Sequence, residues 1–305
     1  MLMVTLRQLR YFTALAQHGH FGRAAAACAI SQPALSLQIR ELEQDLGAPL
    51  VERGHRRIRL TPLGETLADR ARAILRAVDE LSDLARASGQ DLSGRLGIGM
   101  IPTVAPYLLP AVMVRLAALF PALDLRPREA VTQRLIEDLA AARLDLAVVA
   151  LPISQPELQE YPLFSEEFVL VRPLAERDRP VPGPETLREM RLLLLEEGHC
   201  FREQALAYCR HPAGAPRTLM EGTSLATLVQ MVGAGIGVTL IPEMALARET
   251  ATARVAVARL APPRPRRSIG MVWRRASPLA ARYARLAAIV GEECRQLPGL
   301  AAAPD

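Results

Sequence analysis

The amino-acid sequence predicts a multidomain α+β chain with three parts: an N-terminal winged helix-turn-helix, a long linker helix, and an α/β domain of two subdomains. Three observations support this fold class. The first ninety residues carry apolar positions at helical spacing, a Ser/Gly linker follows near 88–94, and strand-like and helical runs alternate from there on. At roughly 100–200 residues per domain, a chain of 305 residues suits two or three domains.

The composition narrows the class of protein. Half of the residues are apolar and 23% are charged, which is typical of a globular chain. No apolar run approaches the ~18 residues of a membrane helix, and the N-terminus lacks the apolar core of a signal peptide, so we expect a cytoplasmic protein that contacts no membrane. All 37 basic residues are arginine, which excludes lysine-based Schiff-base and P-loop chemistry. The four cysteines lack zinc spacing, so we expect neither metal nor cofactor.

The N-terminal elements follow from helix signals. A helix over Leu6–Gln17 precedes two short helices, Phe21–Ala29 and Gln32–Leu46, which a tight turn joins into a helix-turn-helix. Gly47 is a helix stop. The segment that follows predicts two short strands around Gly54, which is the pattern of a β-wing.

The second of these short helices and the wing carry side chains suited to DNA. Gln32, at the helix start, is a natural bidentate partner for adenine. The wing arginines have no acid among them, which fits phosphate contact, and they are Arg53, Arg56, Arg57 and Arg59. Alone, each feature is more often a packing motif or a solvated face. Together and in this order they favour double-stranded DNA as a partner, and the net charge of +5 permits a polyanionic partner without proving one.

The rest of the chain divides into a linker helix and an α/β domain. Thr61-Pro62 opens a helix whose apolar positions, from Leu63 to Leu81, recur in steps of three and four, as in a helix that pairs two subunits. We expect the head over 1–61, the linker helix over 62–92 and the α/β domain over 93–305. A domain of this size suggests two subdomains, I at about 93–166 and 268–305, and II at about 167–267. The alternation of strands and helices favours mostly parallel sheets.

The residues at 24–65 carry a specific pattern. They read AAAACAISQPALSLQIRELEQDLGAPLVERGHRRIRLTPLGE, and the SQPALS run with its LT–G ending resembles the DNA-binding head of the LysR-type transcriptional regulators. This resemblance implies a dimerising linker helix and a C-terminal effector domain of the type 2 periplasmic-binding-protein fold. The expected DNA-binding residues are Ser31, Gln32, Pro33, Ser36, Arg40, Arg53 and Arg56.

Two cysteines flank a predicted helix. Cys200 follows a strand and begins the helix, where the positive helix end, together with His199 and Arg202, favours a thiolate. Continuous helix would place the α-carbons of Cys200 and Cys209 roughly 13.5 Å apart, whereas a disulfide needs about 4.4–6.8 Å. A bond between them therefore requires the helix to unwind. Both could equally be buried small hydrophobic residues, and the spacing alone leaves that choice open.

Five further segments extend the resemblance along the chain. They are GHCFREQALAYC at 198–209, IPTVAPYLLP at 101–110, EAVTQRL at 129–135, TSLATLVQMVGAGIGVTLIP at 223–242 and PRRSIGMVWR at 265–274, and they are similar to the hydrogen-peroxide-sensing branch of the LysR family. The resemblance implies that Cys200 is the peroxidatic thiol and Cys209 the resolving thiol, joined in an intramolecular disulfide that switches an activator of antioxidant genes. The residues it implies for peroxide binding are Thr103, Thr132, His199, Arg202 and Arg267.

The same resemblance implies partners and leaves two alternatives. The expected partners are promoter DNA, hydrogen peroxide, RNA polymerase, a thiol reductant of the glutaredoxin or thioredoxin system, and further copies of the chain in a tetramer at the nucleoid. A LysR-type regulator that binds a small organic ligand in its effector-domain cleft would not need the two cysteines. A thiol peroxidase would share their chemistry, but it would need no arginine wing, so we expect a protein that is not an enzyme.

Overall fold

A computed structural model of the chain describes residues 4–52, 58–87, 92–209, 220–296 and 300–302. The chain forms two compact units, Met1–Ala85 and Arg86–Asp305. No helix in the described ranges combines the length and the apolar character needed to cross a bilayer.

The first unit begins with the predicted winged helix-turn-helix. Its elements are α1 (Leu6–His18), α2 (Phe21–Ala27), α3 (Gln32–Leu46), β1 (Val51–Glu52), β2 (Arg59–Leu60) and α4 (Pro62–Ala87). The strands β1 and β2 pair antiparallel as the wing. Phe12, Leu15 and Leu35 are fully buried in the core that α1 and α3 share. Because that core holds the three helices together, α3 keeps one face free for a partner.

Short polar contacts and glycines set the ends of these helices. Ser31 caps α3 by accepting a backbone N–H of its first turn, and Gly47 ends α3 with a φ of 68°, in the left-handed region that glycine tolerates. Thr61 caps α4, since its hydroxyl accepts the N–H of Gly64 at 3.0 Å. A Cβ on Gly64 would lie 2.1 Å from the carbonyl oxygen of Leu50. Only glycine therefore allows α4 to start this close to the wing.

The second unit is a mixed α/β structure. Its strands are β3 (Gly94–Met100), β4 (Leu123–Glu129), β5 (Leu146–Leu151), β6 (Leu158–Pro173), β7 (Leu193–Leu195), β8 (Met220–Gly222), β9 (Thr239–Pro242), β10 (Val255–Arg259), β11 (Arg266–Arg274) and β12 (Ala301–Ala302). Its helices are α5 (Ala105–Leu119), α6 (Thr132–Ala140), α7 (Pro184–Glu189), α8 (Cys200–Tyr208), α9 (Leu225–Gly233), α10 (Leu246–Glu249) and α11 (Ala280–Gln296). Eight strands form one sheet in the order β10-β6-β11-β5-β3-β4, with β9 and β12 also paired to β6, and β7 pairs with β8.

Two hydrophobic cores lie along this sheet, and β6 runs through both. Leu163 and Phe164 belong to the first core, which α5, α6 and α11 cover. Phe168 and Val169 belong to the second core, which α8 and α9 cover. The change from one core to the other therefore falls between Phe164 and Phe168.

The predicted fold class is confirmed, but the expectation of mostly parallel sheets is wrong. The described parallel strand pairs are β3–β4, β3–β5 and β7–β8. All pairs made by β6 and β11 are antiparallel, because these are the strands on which the chain passes between the two cores. The domain limits expected at 61, 92 and 166–167 stay predictions.

Candidate functional site

A narrow pocket lies where β3 and β4 end and α8 begins. Because β3 and β4 are parallel, their carboxyl ends meet at one edge of the sheet, where ligands of open α/β sheets bind. The lining residues are Ile101, Pro102, Thr103, Val131, Thr132, His199, Cys200 and Phe201. The structure thus brings together four of the residues that the sequence predicted for peroxide chemistry: Thr103, Thr132, His199 and Cys200.

The surroundings of the Cys200 thiol differ in part from the prediction. Cys200 is the first residue of α8, so its side chain lies at the positive helix end, as expected. Burial lowers the pKa of His199, and the nearby Glu196 only partly opposes that shift. The imidazole is therefore neutral near pH 7 and adds no positive charge beside the thiol, because burial disfavours the charged ring.

Arg202 takes a structural position. Its guanidinium donates to the carbonyl oxygen of Leu195 at 2.9 Å and lies 2.8 Å from a carboxylate oxygen of Glu221. These bonds tie the first turn of α8 to the end of β7 and to the middle of β8, and Arg202 is not among the residues that line the pocket. The sequence could not show this, because Glu221 is nineteen positions away along the chain.

Arg267 is buried behind the pocket. Its Nη1 donates to the hydroxyl of Thr103 at 2.6 Å, and its Nη2 donates to the carbonyl oxygen of Thr103 at 3.0 Å. The guanidinium carbon lies 5.5 Å from the ring centroid of Phe201, and the guanidinium also forms an ion pair with Glu166. Arg267 therefore contacts two residues that line the pocket, Thr103 and Phe201. Sequence reasoning did not identify Glu166, which lies in a polar stretch without a clear strand pattern.

Two buried oxygen atoms at and beside the pocket have no hydrogen-bond partner among the described residues. They are the hydroxyl of Thr132, which lines the pocket, and the side-chain carbonyl of Gln204. Gln204 follows Cys200 by four positions on α8, so the two side chains share one face of the helix. Buried polar atoms are nearly always bonded, so the unpaired hydroxyl of Thr132 would gain a partner if a small polar molecule entered the pocket, which as it stands is too narrow for a water molecule.

Cys209 lies in a different environment from Cys200. It follows the last residue of α8 and is fully buried in the second core, whereas Cys200 is partly buried and packs against the first core. Burial raises the pKa of the Cys209 thiol to about 11. The two sulfur atoms are therefore separated by the whole helix, as the spacing predicted. Across the described residues, no group of His, Cys, Asp or Glu side chains could hold a metal ion.

The recognition face of the head can be described in part. Gln32, Pro33 and Arg40 are exposed on α3, and Ser36 is partly buried beside them. Ser31 is exposed as well, although its hydroxyl is used to cap the helix. Arg53 and Arg56, the wing residues predicted to contact DNA, lie outside the described residues.

Comparison with known proteins agrees with the sequence resemblance. The family described as "Bacterial regulatory helix-turn-helix protein, lysR family" matches residues 6–65, and the "LysR substrate binding domain" family matches residues 89–295. A probable hydrogen peroxide-inducible genes activator from Streptomyces viridosporus is 45% identical over 302 residues, with 96% of each chain covered.

Solved structures of similar proteins cover nearly the whole chain. Full-length OxyR from Pseudomonas aeruginosa, as a cysteine-to-aspartate variant, matches with a TM-score of 0.73 and 32% identity, covering 99% of both chains. A cysteine-to-serine variant of Corynebacterium glutamicum OxyR with hydrogen peroxide bound matches with a TM-score of 0.65 and 34% identity, covering 96% of this chain and 93% of that one. The resemblance seen in the sequence is thereby confirmed at the level of the family and of the fold.

Proposed function

The chain belongs to the LysR family of bacterial regulators, and we propose that it is a transcriptional activator that senses hydrogen peroxide through Cys200 and Cys209. The observation that carries this proposal is the placement of the two thiols at opposite ends of α8, with Cys200 in a pocket lined by hydroxyl groups and Cys209 in an apolar core. The names of similar proteins, which refer to hydrogen peroxide, support it.

The pocket suggests how peroxide would react. The unpaired hydroxyl of Thr132 and the hydroxyl of Thr103 would hold the peroxide beside Cys200, with the neutral ring of His199 orienting it. The Cys200 thiolate would attack one peroxide oxygen, so that the O–O bond breaks, a sulfenic acid forms, and the other oxygen leaves as hydroxide, which takes a proton from solvent to become water. The Cys209 thiol would then attack the oxidised sulfur, forming a disulfide and releasing a second water.

Closing this disulfide would change the structure around α8. Because a nine-residue helix separates the two thiols, the segment from 201 to 209 must unwind and Cys209 must leave the second core. The apolar contacts that Cys209 makes there are then lost, and the neighbouring side chains must repack. Oxidation of one sulfur atom would in this way change the shape of the surface around α8. If that surface contacts a second subunit, the change would reach the DNA-bound heads.

The head supplies the output of this switch. We propose that Gln32, Pro33, Ser36 and Arg40 of α3 contact promoter DNA, with Ser31 at the start of the helix and Arg53 and Arg56 in the wing. Leu63, Ile74 and Leu81 are exposed on α4 at helical spacing, which supports pairing of α4 with a second copy. We further propose that the chain contacts RNA polymerase and is reduced by a glutaredoxin or thioredoxin system. It would act as a tetramer in the cytoplasm, at the nucleoid, and would not turn over a substrate as an enzyme does.

A second candidate function has one observation in its favour. Beside the pocket lies a cavity of about 280 Å³, whose lining includes Tyr107, Glu129, Ser224, Arg248 and Glu249. A cavity of this size and polarity suits a small organic ligand, as in a ligand-controlled LysR regulator. That regulator would respond to its ligand without any change in thiol content.

One experiment separates the two candidates. The reduced chain is treated with stoichiometric hydrogen peroxide, its free thiols are counted, and its peptides are mapped by mass spectrometry. We expect the loss of two thiols, a Cys200–Cys209 linkage, faster hydrogen exchange across 201–209, and a changed footprint on the promoter upstream of its own gene. Retention of all four thiols, or oxidation of Cys28 or Cys294 first, would contradict peroxide sensing through this pair.

A further inference from the structure

A buried ion pair lies at the point where the chain passes between the two cores. Glu166 on β6 and Arg267 on β11 are paired opposite each other in the sheet, and both side chains are 0% exposed. The Nη2 of Arg267 lies 2.7 Å from one carboxylate oxygen of Glu166, and Nε donates to the same oxygen at 2.9 Å. The other carboxylate oxygen accepts the backbone N–H of Met244 at 2.9 Å. Glu166 is thus held at both oxygens.

This carboxylate determines where the guanidinium of Arg267 can point. A buried guanidinium requires a compensating charge, and its planar donors fix the direction of each bond. Nε and one N–H of Nη2 point at Glu166. Because the guanidinium is planar, this orientation directs an N–H of Nη1 at the hydroxyl oxygen of Thr103. A threonine hydroxyl has one proton, and an oxygen that accepts from Arg267 has that proton left to donate elsewhere.

We propose that Glu166 is a positioning residue for the reaction of peroxide at Cys200: it holds Arg267 so that the hydroxyl of Thr103 donates a hydrogen bond into the pocket. The inference rests on the proposed peroxide-sensing function. Glu166 is not among the residues that line the pocket. It acts through Arg267 and then through Thr103, which lines the pocket together with Cys200.

The chemistry explains why this direction matters. When the thiolate sulfur bonds to one peroxide oxygen and the O–O bond breaks, the sulfur is oxidised to a sulfenic acid and the peroxide is reduced by two electrons. The leaving oxygen gains negative charge and takes a proton to become water. A hydroxyl that already donates toward that oxygen stabilises the charge, and its bond is strengthened because Arg267 withdraws electron density from it.

The next residue in the strand provides a matched control. Glu167 points to the opposite face of β6, is 34% exposed, and pairs with Arg264 at 3.1 Å and Arg259 at 3.6 Å. Glu166→Gln and Glu167→Gln therefore remove the same charge from adjacent positions, but only the first lies behind the pocket.

The test uses the full chain carrying Cys209→Ser, so that oxidation stops at the sulfenic acid. Two rate constants are measured for Cys200: formation of the sulfenic acid by hydrogen peroxide, and alkylation by iodoacetamide, which needs the same thiolate but no donated proton. For Glu166→Gln we expect the peroxide rate constant to fall about tenfold or more, with alkylation changed less than about twofold. For Glu167→Gln both rate constants should stay within about twofold of the parent.

Two further variants keep the test decisive. Thr103→Val combined with Glu166→Gln should be no slower than the slower single variant, since both changes remove one donated hydrogen bond. Glu166→Asp, which keeps the charge but retracts it from Arg267, should remain folded and still react slowly with peroxide. An unchanged peroxide rate in Glu166→Gln, an equal loss in both reactions, or additive effects with Thr103→Val would overturn the proposal. A parent protein that never forms the sulfenic acid would overturn the proposed function as well.

Discussion

The two ends of α8 lie in contrasting surroundings. At its first residue, Cys200 lies in a pocket with hydroxyl groups and a neutral imidazole, and a hydrogen-bonded arginine stands behind them. At its other end, Cys209 is enclosed by apolar side chains of the second core, where burial raises the pKa of its thiol to about 11. The two thiols therefore differ in their surroundings: polar groups lie beside Cys200, whereas apolar side chains enclose Cys209.

This contrast assigns an order to the chemistry. In the proposed reaction, the thiol at the polar end would meet the oxidant first, and the buried thiol would react only after the helix between them opens. Because burial holds Cys209 in its protonated form, this thiol is a poor nucleophile until it leaves the core. Under the proposal, the apolar environment would keep the Cys209 thiol from reacting with peroxide itself before Cys200 has been oxidised.

The largest expected effect comes from removing the thiol at the polar end. Cys200→Ser should abolish the response to peroxide, because a serine hydroxyl is not oxidised under these conditions. Cys209→Ser should still form a sulfenic acid at Cys200, without a lasting disulfide. Trapping with dimedone followed by mass spectrometry measures the first step, and footprinting on promoter DNA measures the output. If Cys209→Ser also blocks sulfenic acid formation, the proposed order of the two ends is wrong.

The protonation of the buried thiol gives the next largest effect. Below pH 9, a thiol of pKa about 11 is about a hundredfold less ionised than one of pKa 9.0. Labelling of Cys209 by iodoacetamide should therefore be at least that much slower in the folded chain than in the chain unfolded in urea. In the folded chain the rate should keep rising with pH beyond pH 9, whereas in urea it should level off near that pH. Quantitative peptide mapping in the Cys200→Ser variant follows this one thiol, and equal labelling in both states would show that Cys209 is accessible.

A smaller effect is expected from the hydroxyl that links the pocket to Arg267. Thr103→Val should lower the rate of sulfenic acid formation about tenfold, the value of one hydrogen bond of about 1–1.5 kcal/mol. The chain should stay folded, since the Thr103 carbonyl still accepts from Arg267. Thr250→Val is the control, because that hydroxyl bonds to the carbonyl of Leu246, on a helix that does not line the pocket. The rates are measured by stopped flow. If Thr103→Val and Thr250→Val react with peroxide at the same rate, the Thr103 hydroxyl takes no part in the reaction.

The smallest effect on signalling should come from the two remaining cysteines. Cys294 is buried in the first core, where burial raises the pKa of its thiol to about 12, and Cys28 is partly buried in the head. Cys294→Ser should lower the free energy of unfolding by about 1–3 kcal/mol, because it buries a hydroxyl. Neither Cys294→Ser nor Cys28→Ser should change disulfide formation. Urea unfolding and thiol counting test these two statements separately.

Local signals in the sequence predicted much of this structure. The limits of α3 match the predicted helix, because Ser31 and Gly47 are strong start and stop signals. Cys200 was also placed correctly at the start of a helix, although His199 before it makes no side-chain cap. The carboxyl-end positions of Thr103 and Thr132 follow from the alternation of strands and helices.

Contacts between distant positions could not be predicted in the same way. The length of β6 could not be predicted from the sequence, because Pro162, Glu166 and Glu167 interrupt its apolar pattern. The burial of Arg267 depends on a carboxylate 101 positions earlier in the chain. The ion pair between Arg202 and Glu221, which accompanies the absence of Arg202 from the pocket lining, joins positions far apart in the chain. The lowered pKa of His199 likewise depends on burial by side chains that surround it in the folded chain.

The strand β6 has a consequence for how the second unit unfolds. It has 16 residues and pairs with β11 and β12 through one half, and with β9 and β10 through the other. If one core unfolded alone, β6 would lose the backbone hydrogen bonds along about half of its length. That half would then be an unpaired strand edge, so partial unfolding is unfavourable. The two cores should consequently melt as one thermodynamic system. In calorimetry of the intact chain, residues 86–305 should unfold in one endotherm. The calorimetric enthalpy of that transition should equal its van't Hoff enthalpy.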